Sequence, residues 1–533
     1  MSFTPKLLSF AVLLALGGAA TAANTQNSPA VGRALGLLQA RSAAAGISAN
    51  DGFVARNVIV DADGTEHVRF DRTYAGLQVI GGDVVVHSRN GRLKGVSLTQ
   101  RGALNLSTRA SVKADAAIVA AGTEFGSRFV GLPGSSLVVY ARNKGAPRLA
   151  WQVAFKGVDA AGAPVDSTYI VDATTRKVLD RWSNLQDARG DVCLSTTNTP
   201  ATGTGKTLYS GNVPINTTNC GASFDLRDQL SGRSYTADMK NTTFGRGTIF
   251  NDADNIVGNN ATSDVASAGV DAHYGASMTW DYYKAIHGRN GIAGDGVGAP
   301  SRVHFYTKYN NAFWSDTCFC MTYGDGDGTT FGPFVSLDIA GHEMSHGVTS
   351  HTAALIYSGE AGGLNEANSD IFGTMVEFHA NNPSDPPDYL LGEKIFRANL
   401  PGATPTRALR SMYNPIGDRN SPNCYSSTLG NLDVHFSSGV GNHFFYLLAE
   451  GTTPKTYSGV KHTSPTCNSS TLAGIGRAKA EKIWYRALTV YMTSDTNYAG
   501  ARVATLNAAS DLYGAASAEH AAVAATWSAV SVN

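Results

Sequence analysis

The stretch Asp338-Ile339-Ala340-Gly341-His342-Glu343-Met344-Ser345-His346 constrains this 533-residue chain more than any other. Asp338 suits the first turn of a helix, and Ile339, Ala340, Met344 and Val348 give that helix an apolar side. His342 and His346 are four apart, so both imidazoles leave one face a turn apart and can close on one tetrahedral ion. A catalytic zinc site takes three protein ligands and keeps one position open, so a second element must supply the third ligand. Glu366 answers this, twenty residues beyond His346 in Asn365-Glu366-Ala367-Asn368-Ser369-Asp370. That segment reads as the start of another helix, with Asp370 one turn after Glu366 on the same face. A lone HExxH is also found as a charged face on an ordinary helix, and it is the linked Asn-Glu-x-x-x-Asp that argues for a metal. A competing zinc class places a glycine and then a third histidine downstream of the pair. Thr349 and Thr352 occupy those positions here, and His351, one residue off, reads as a surface or structural histidine.

The rest of the composition limits where such a site could operate. Lys+Arg and Asp+Glu both number 42, giving zero formal charge, and the charged fraction of 16% excludes a nucleic-acid binder. With 43% hydrophobic residues, including 21 Tyr, 21 Phe and 6 Trp, the chain is not disordered throughout. Its length predicts about three units, and its 58 glycines imply many turns. Lys6 precedes an apolar run from Leu7 to Leu16 and a small-residue stretch ending Ala20-Thr21-Ala22-Ala23, the pattern of a secretory signal over residues 1–22. The run is too short to span a bilayer, and no later segment reaches spanning length uninterrupted. Six cysteines in an exported protein read as three disulfides whose pairing spacing alone leaves open. We favour Cys424 with Cys467, both downstream of Cys193, Cys220, Cys318 and Cys320. Cys318-Phe319-Cys320 lacks the two intervening residues of common metal and redox motifs and reads as structural.

Alternation of apolar residues with turns such as Asp63-Gly64, Gly81-Gly82 and Asn90-Gly91 predicts a strand meander from about residue 53, following an Ala/Ser/Gly-rich lead. A helix is expected within 108–125, then more strands to Trp182. Residues 187–205 shift to Gly, Ser, Thr, Asn and Pro, marking an exposed connection suited to cutting. The chain to about residue 335 reads as strand and turn. Tyr323-Gly324-Asp325-Gly326-Asp327-Gly328 lacks the glutamate that closes a calcium loop and reads as a tight turn. From Asp338 the period becomes helical, over 338–353, 364–380, 436–450, 471–492 and 498–513.

Taken together, Asn311-Ala312-Phe313-Trp314, the Tyr323–Gly328 run, His342–His346 and Gly363-Leu364-Asn365-Glu366-Ala367-Asn368-Ser369-Asp370-Ile371-Phe372-Gly373-Thr374 resemble the thermolysin family of secreted zinc metalloendopeptidases, in its elastase and vibriolysin branch. Phe70-Asp71-Arg72-Thr73-Tyr74-Ala75-Gly76 and Gly81-Gly82-Asp83-Val84-Val85-Val86-His87 are similar to that family's propeptide. The resemblance implies an α+β, two-lobed protease: a propeptide over 23–195 that assists folding and inhibits, a β-rich lobe with the HExxH helix over 196–355, and a helical lobe over 356–533. It implies zinc held by His342, His346 and Glu366, with Glu343 as general base and Asp370 and Asn365 orienting the ligands. It makes Tyr357 and His435 oxyanion donors, with Asp433 orienting His435. Arg410, Asn311 and Ala312 would bind the substrate backbone. Ile339, Leu391 and Leu409 would line the pocket for a large apolar residue after the scissile bond. Calcium would be held by Asp338, Glu377, Asp388 and Glu393, with Leu390 and the spacer 381–387 departing from the two-calcium pattern. The expected protein is a secreted monomer that acts on protein substrates and on its own propeptide. The rival readings are a secreted zinc aminopeptidase and an inactive binding or adhesion protein of the same fold.

Overall fold

The computed structural model describes residues 25–26, 28–40, 46–98, 100, 102–126, 128–129, 132–142, 146–158, 164–183, 198–243, 245–397, 407–418 and 420–533. The signal sequence, Cys193 and most of the connection at 187–205 lie outside these residues. The chain divides into two compact units, Met1–Asn105 and Leu106–Asn533.

In the first unit, helix α1 (Pro29–Gln39) precedes a strand meander: β1 (Asp51–Val60), β2 (Thr65–Tyr74), β3 (Leu77–Ile80), β4 (Val84–Arg89) and β5 (Arg92–Leu98). β2 pairs antiparallel with β1, β3 and β4, and β4 with β5. The meander was expected, but α1 falls in the lead read as unpatterned. Its Ala30, Val31, Ala34 and Leu38 recur at helical spacing and pack on Val68, Phe70, Val84 and Val86. Small alanines carry that stripe, so composition concealed it.

The second unit opens with α2 (Ala114–Phe125) and the antiparallel strands β6 (Gly134–Tyr140), β7 (Arg148–Val158), β8 (Pro164–Asp172) and β9 (Val178–Ser183). α2 starts later than residue 108 because the backbone N–H groups of Ser111 and Val112 donate to the Ala173 carbonyl instead of entering a helix. Strands β10 (Thr199–Lys206) and β11 (Asn212–Asn219) pair antiparallel. A separate sheet orders β12 (Ser234–Asp238), β13 (Ser301–Val303), then β15 (Cys320–Tyr323), with β14 (Ala312–Ser315) on its outer edge.

Helix α3 (Val265–His287) contradicts the strand-and-turn expectation for this region. It is buried on most sides, so it lacks the polar stripe by which an amphipathic helix is read. It packs against α4 (Leu337–Ser350), and a Cβ on its Gly275 would come within 2.4 Å of Ala340 Cβ. α4 in turn lies against α5 (Gly359–Ala380), where a Cβ on Gly373 would meet the Asp338 carbonyl at 2.5 Å. α5 begins at Gly359, before residue 364; glycines 359, 362 and 363, poor helix formers, hide that start from the sequence pattern.

A two-stranded ladder of β16 (Leu390–Leu391) and β17 (Arg410–Ser411) precedes α6 (Val434–Ser437) and α7 (Gly439–Glu450). Then come α8 (Arg477–Arg486), α9 (Tyr498–Tyr513) and α10 (Ala518–Ala529), the last not anticipated from sequence. The molecule is α+β, sheet-rich before Leu337 and helical after it. Disulfides join Cys318 to Cys320 and Cys424 to Cys467.

Candidate active site

Helices α4 and α5 lie side by side, and their paired polar faces form the site. His342 Nε2 and His346 Nε2 approach to 3.0 Å, and Glu366 lies 3.5 Å from the first and 3.3 Å from the second. Two imidazole nitrogens and a carboxylate oxygen, all within 4.8 Å of one another, form a donor set of the catalytic zinc type. Glu366 is fully buried and its Oε2 has no hydrogen-bond partner. A bare, buried carboxylate oxygen 3.5 Å from the His342 imidazole is what a cation would satisfy.

The outer nitrogens are committed elsewhere, which fixes both rings. His342 Nδ1 is 2.8 Å from Asp370 Oδ1 and His346 Nδ1 is 2.7 Å from Asn365 Oδ1, so each Nδ1–H donates outward and each Nε2 faces the site. Asn365 Nδ2 donates to the Leu355 carbonyl. Asp370 accepts a fork from Arg410, at 2.7 Å and 2.6 Å, and a 2.8 Å bond from Asn442 Nδ2. Burial opposes the Asp370 charge, but Arg410 and His342 hold its pKa down at about 2. Burial likewise opposes the charge on Glu366, yet His435, His342 and His346 keep it well below the usual carboxylate range. His346, despite burial, is pushed up to about 9 by Glu366.

Glu343 is buried beside the cluster; burial raises its pKa against the pull of the two imidazoles. The Tyr357 hydroxyl bonds Glu366 Oε1 and lies 3.1 Å from His435 Nε2. Asp433 caps α6 by accepting the His435 backbone N–H and also takes the ring Nδ1–H at 2.7 Å. The candidate donors therefore face the Glu366 carboxylate from outside α4.

Asn311 and Ala312 lie at the start of β14, the outer edge of its sheet. Ile339 and Leu391 are buried, and Leu409, whose N–H donates to the Leu391 carbonyl, packs against them. His351 Nδ1 donates to the Gly347 carbonyl and the ring packs edge-on to Phe319, a structural placement. Asp327 Oδ1 accepts from the N–H groups of Thr329, Thr330 and Phe331, which makes the glycine-rich run a tight turn.

The acids expected to hold calcium stand close together, and Asp385 joins them. Glu377, Asp385 and Glu393 gather within 4.8 Å. Asp338 stands close enough to raise the pKa values of Glu377, Asp388 and Glu393, while its oxygens also accept from the Ser336 hydroxyl and the Ile339 and Gly392 N–H groups. Asp388 stands beside the group, donating its N–H to Glu377 Oε2 at 3.2 Å. Asp385 was missed because it sits in the 381–387 spacer, which sequence reading treated only as a length difference. Asn442 was missed because nothing in local spacing links it to Asp370, 72 residues away.

A model of the thermolysin metallopeptidase catalytic domain matches residues 202–350, one of the thermolysin alpha-helical domain matches 353–532, and one of the fungalysin/thermolysin propeptide motif matches 51–99. The transglutaminase-activating metalloprotease of Streptomyces mobaraensis is 46% identical over 91% of this chain, which spans 62% of that protein. Bacillolysin of Bacillus cereus is 38% identical, covering 91% of this chain and 86% of its own length. Thermolysin of Alicyclobacillus acidocaldarius subsp. acidocaldarius is 36% identical, covering 87% and 83%. Among solved structures, the precursor of protealysin, a metalloproteinase from Serratia proteamaculans, aligns with 56% of this chain and 87% of its own at 29% identity and a TM-score of 0.44.

Proposed function

Because the chain belongs to the thermolysin family of metallopeptidases, zinc endopeptidases made with a propeptide, we propose that His342, His346 and Glu366 hold the catalytic zinc and that Glu343 is the general base. The observation that carries this is the grouping of donor atoms from His342, His346 and the buried Glu366 within 4.8 Å of one another, with one Glu366 oxygen left without a hydrogen bond. Bound there, zinc would polarise the attacking water and the scissile carbonyl.

The remaining chemistry belongs to this chain's own residues. Glu343 takes a proton from the attacking water and returns it to the leaving amine, a task suited to a buried carboxylate whose burial and imidazole neighbours pull its pKa in opposite directions. Tyr357 and His435, the latter held by Asp433, donate to the oxyanion as it develops. Asn311 and Ala312 on the edge strand receive the substrate backbone as an added strand, with Arg410 at a substrate carbonyl. Ile339, Leu391 and Leu409 favour a large apolar residue after the scissile bond.

Glu377, Asp385 and Glu393, with Asp388 beside them, supply hard oxygen donors for calcium. Glu377 Oε1 and Glu393 Oε2 are buried without hydrogen-bond partners, which supports a cation there. The signal-like N-terminus supports secretion, and among the described residues no helix is long and apolar enough to cross a membrane. Residues 23–195 act as a propeptide, cut by the enzyme itself within 187–205.

The test is hydrolysis of casein and of an end-blocked peptide by the purified protein. 1,10-phenanthroline should abolish activity and added zinc restore it, while Glu343→Ala should lose at least about a hundredfold. Full activity of Glu343→Ala would remove the general-base assignment. Autoprocessing fails if the same variant, made in a protease-free host, still cleaves its connection.

A further inference from the structure

We propose that Arg142 is the anchor that keeps the propeptide bound to the enzyme after the connection is cut, and that the Ser358 carbonyl with Asp495 forms a guanidinium-binding site beside the catalytic centre. This rests on the reading of residues 23–195 as a propeptide. Arg142 follows β6 and is only 4% exposed. Each of its three nitrogens has a different acceptor: Nη1 donates to Asp180 Oδ2 at 2.6 Å, Nε to Asp495 Oδ1 at 3.0 Å and Nη2 to the Ser358 carbonyl at 3.3 Å.

Two sides of a future cut meet at this side chain. Asp180, on β9, belongs upstream and is braced by the Tyr140 hydroxyl at 2.8 Å. Ser358 and Asp495 belong downstream, 216 and 353 residues away from Arg142. Upstream groups thus hold the guanidinium in place, and its other two edges reach across to the enzyme. A planar guanidinium can serve three acceptors in its own plane, a geometry that the ammonium of lysine cannot reproduce.

The position of the grip ties it to inhibition. Ser358 is the N-cap of α5 and directly follows Tyr357, whose hydroxyl touches Glu366. A propeptide clamped here holds the backbone next to a proposed oxyanion donor. Removing the arginine would take a charged hydrogen-bond donor from Asp180 and Asp495, whose side chains are only 11% and 13% exposed. Truncating one partner of a buried, hydrogen-bonded charge pair acts mainly on dissociation.

The experiment compares full-length wild type, Arg142→Ala, Arg142→Lys and Asp495→Asn after processing, by gel filtration of the cut chains and by activity on an end-blocked peptide. Wild-type fragments should co-elute and remain latent. Arg142→Ala should release the propeptide at least about thirtyfold faster, Arg142→Lys should restore little of the latency, and the enzyme freed from Arg142→Ala should have wild-type kcat/KM. Asp495→Asn tests the contact from the enzyme side should the propeptide variants not fold, and it too should shorten latency. Unchanged co-elution and latency in both Arg142→Ala and Asp495→Asn would overturn the anchor. A wild-type chain that stays uncut would instead refute autoprocessing; the anchor would then be judged from the uncut chains, and equal latency of Arg142→Ala and wild type would overturn it.

Discussion

His342 and His346 present Nε2 to the site because Nδ1 of each is already spent, on Asp370 and Asn365 respectively. Asn365 is the more testable of the two supports, since it carries no charge and its own amide nitrogen donates to the Leu355 carbonyl. Asn365→Ala should free the His346 ring and weaken zinc binding about 10- to 100-fold, measured by competition with a chelator of known affinity. Zinc affinity equal to wild type would show that α4 alone orients the ring. Asp370 was legible in the sequence because it follows Glu366 by one turn on the same face of α5, whereas the role of Asn365, next to Glu366, came through the family resemblance. Asn442, Asp385 and the Arg142–Asp495 pair were not legible, because each meets its partner through the fold and no local periodicity records such a meeting.

Helices rather than loops set the ligand distances, so the closeness of α4 to α5 is itself part of the site. A Cβ on Gly373 would lie 2.5 Å from the Asp338 carbonyl and 3.1 Å from the His342 N–H, and both neighbours are backbone. Gly373→Ala should therefore push the helices apart, costing about 1–3 kcal/mol in unfolding free energy and lowering bound zinc per molecule. An unshifted denaturation midpoint with full zinc would refute the close-packing argument. The amphipathic helices were readable from their stripes, whereas α3, buried nearly all round, was not. α3 also has a pH-sensitive tie. His304 donates from Nε2 to the Val265 carbonyl at its start and from Nδ1 to Asp325 in the tight turn, both at 2.8 Å. Burial opposes the imidazolium, but Asp325 and the Val265 carbonyl outweigh it and raise the His304 pKa above 6.5. The stabilisation is then complete below about pH 6.5 and is lost as pH rises through the folded value. The gap in melting temperature between wild type and His304→Asn, an asparagine being tolerated at the left-handed φ of 55°, should narrow from pH 6 to pH 9. A gap independent of pH would mean that His304 is neutral when folded.

One apolar core runs from Val213 and Ile215 in the sheet-rich region to Trp484 and Trp527 among the last helices, so the two regions stand or fall together. The acid cluster sits where that continuity is most exposed to charge repulsion. Glu377 lies near the end of α5, Asp385 and Asp388 follow on the segment leading into β16, and Glu393 stands just after that strand. β16 pairs with β17, whose Arg410 grips Asp370 behind His342. Burial and the surrounding acids push Glu377 and Glu393 well above the usual carboxylate range. Burial raises Asp388 to about 7 and Asp385 to about 6, the latter against the pull of Lys394. Without a cation this cluster opposes folding, and with one it ties the segment back to α5. A cation bound at a hundred times its Kd adds about 2.7 kcal/mol, so exchanging calcium for EGTA should lower the melting temperature by several degrees and speed self-cleavage. Asp385→Asn should abolish that calcium dependence while melting in EGTA no lower than wild type does, because it removes a repulsive charge along with a ligand. A melting temperature that ignores calcium in wild type would show that Lys394 and protonation alone neutralise the cluster.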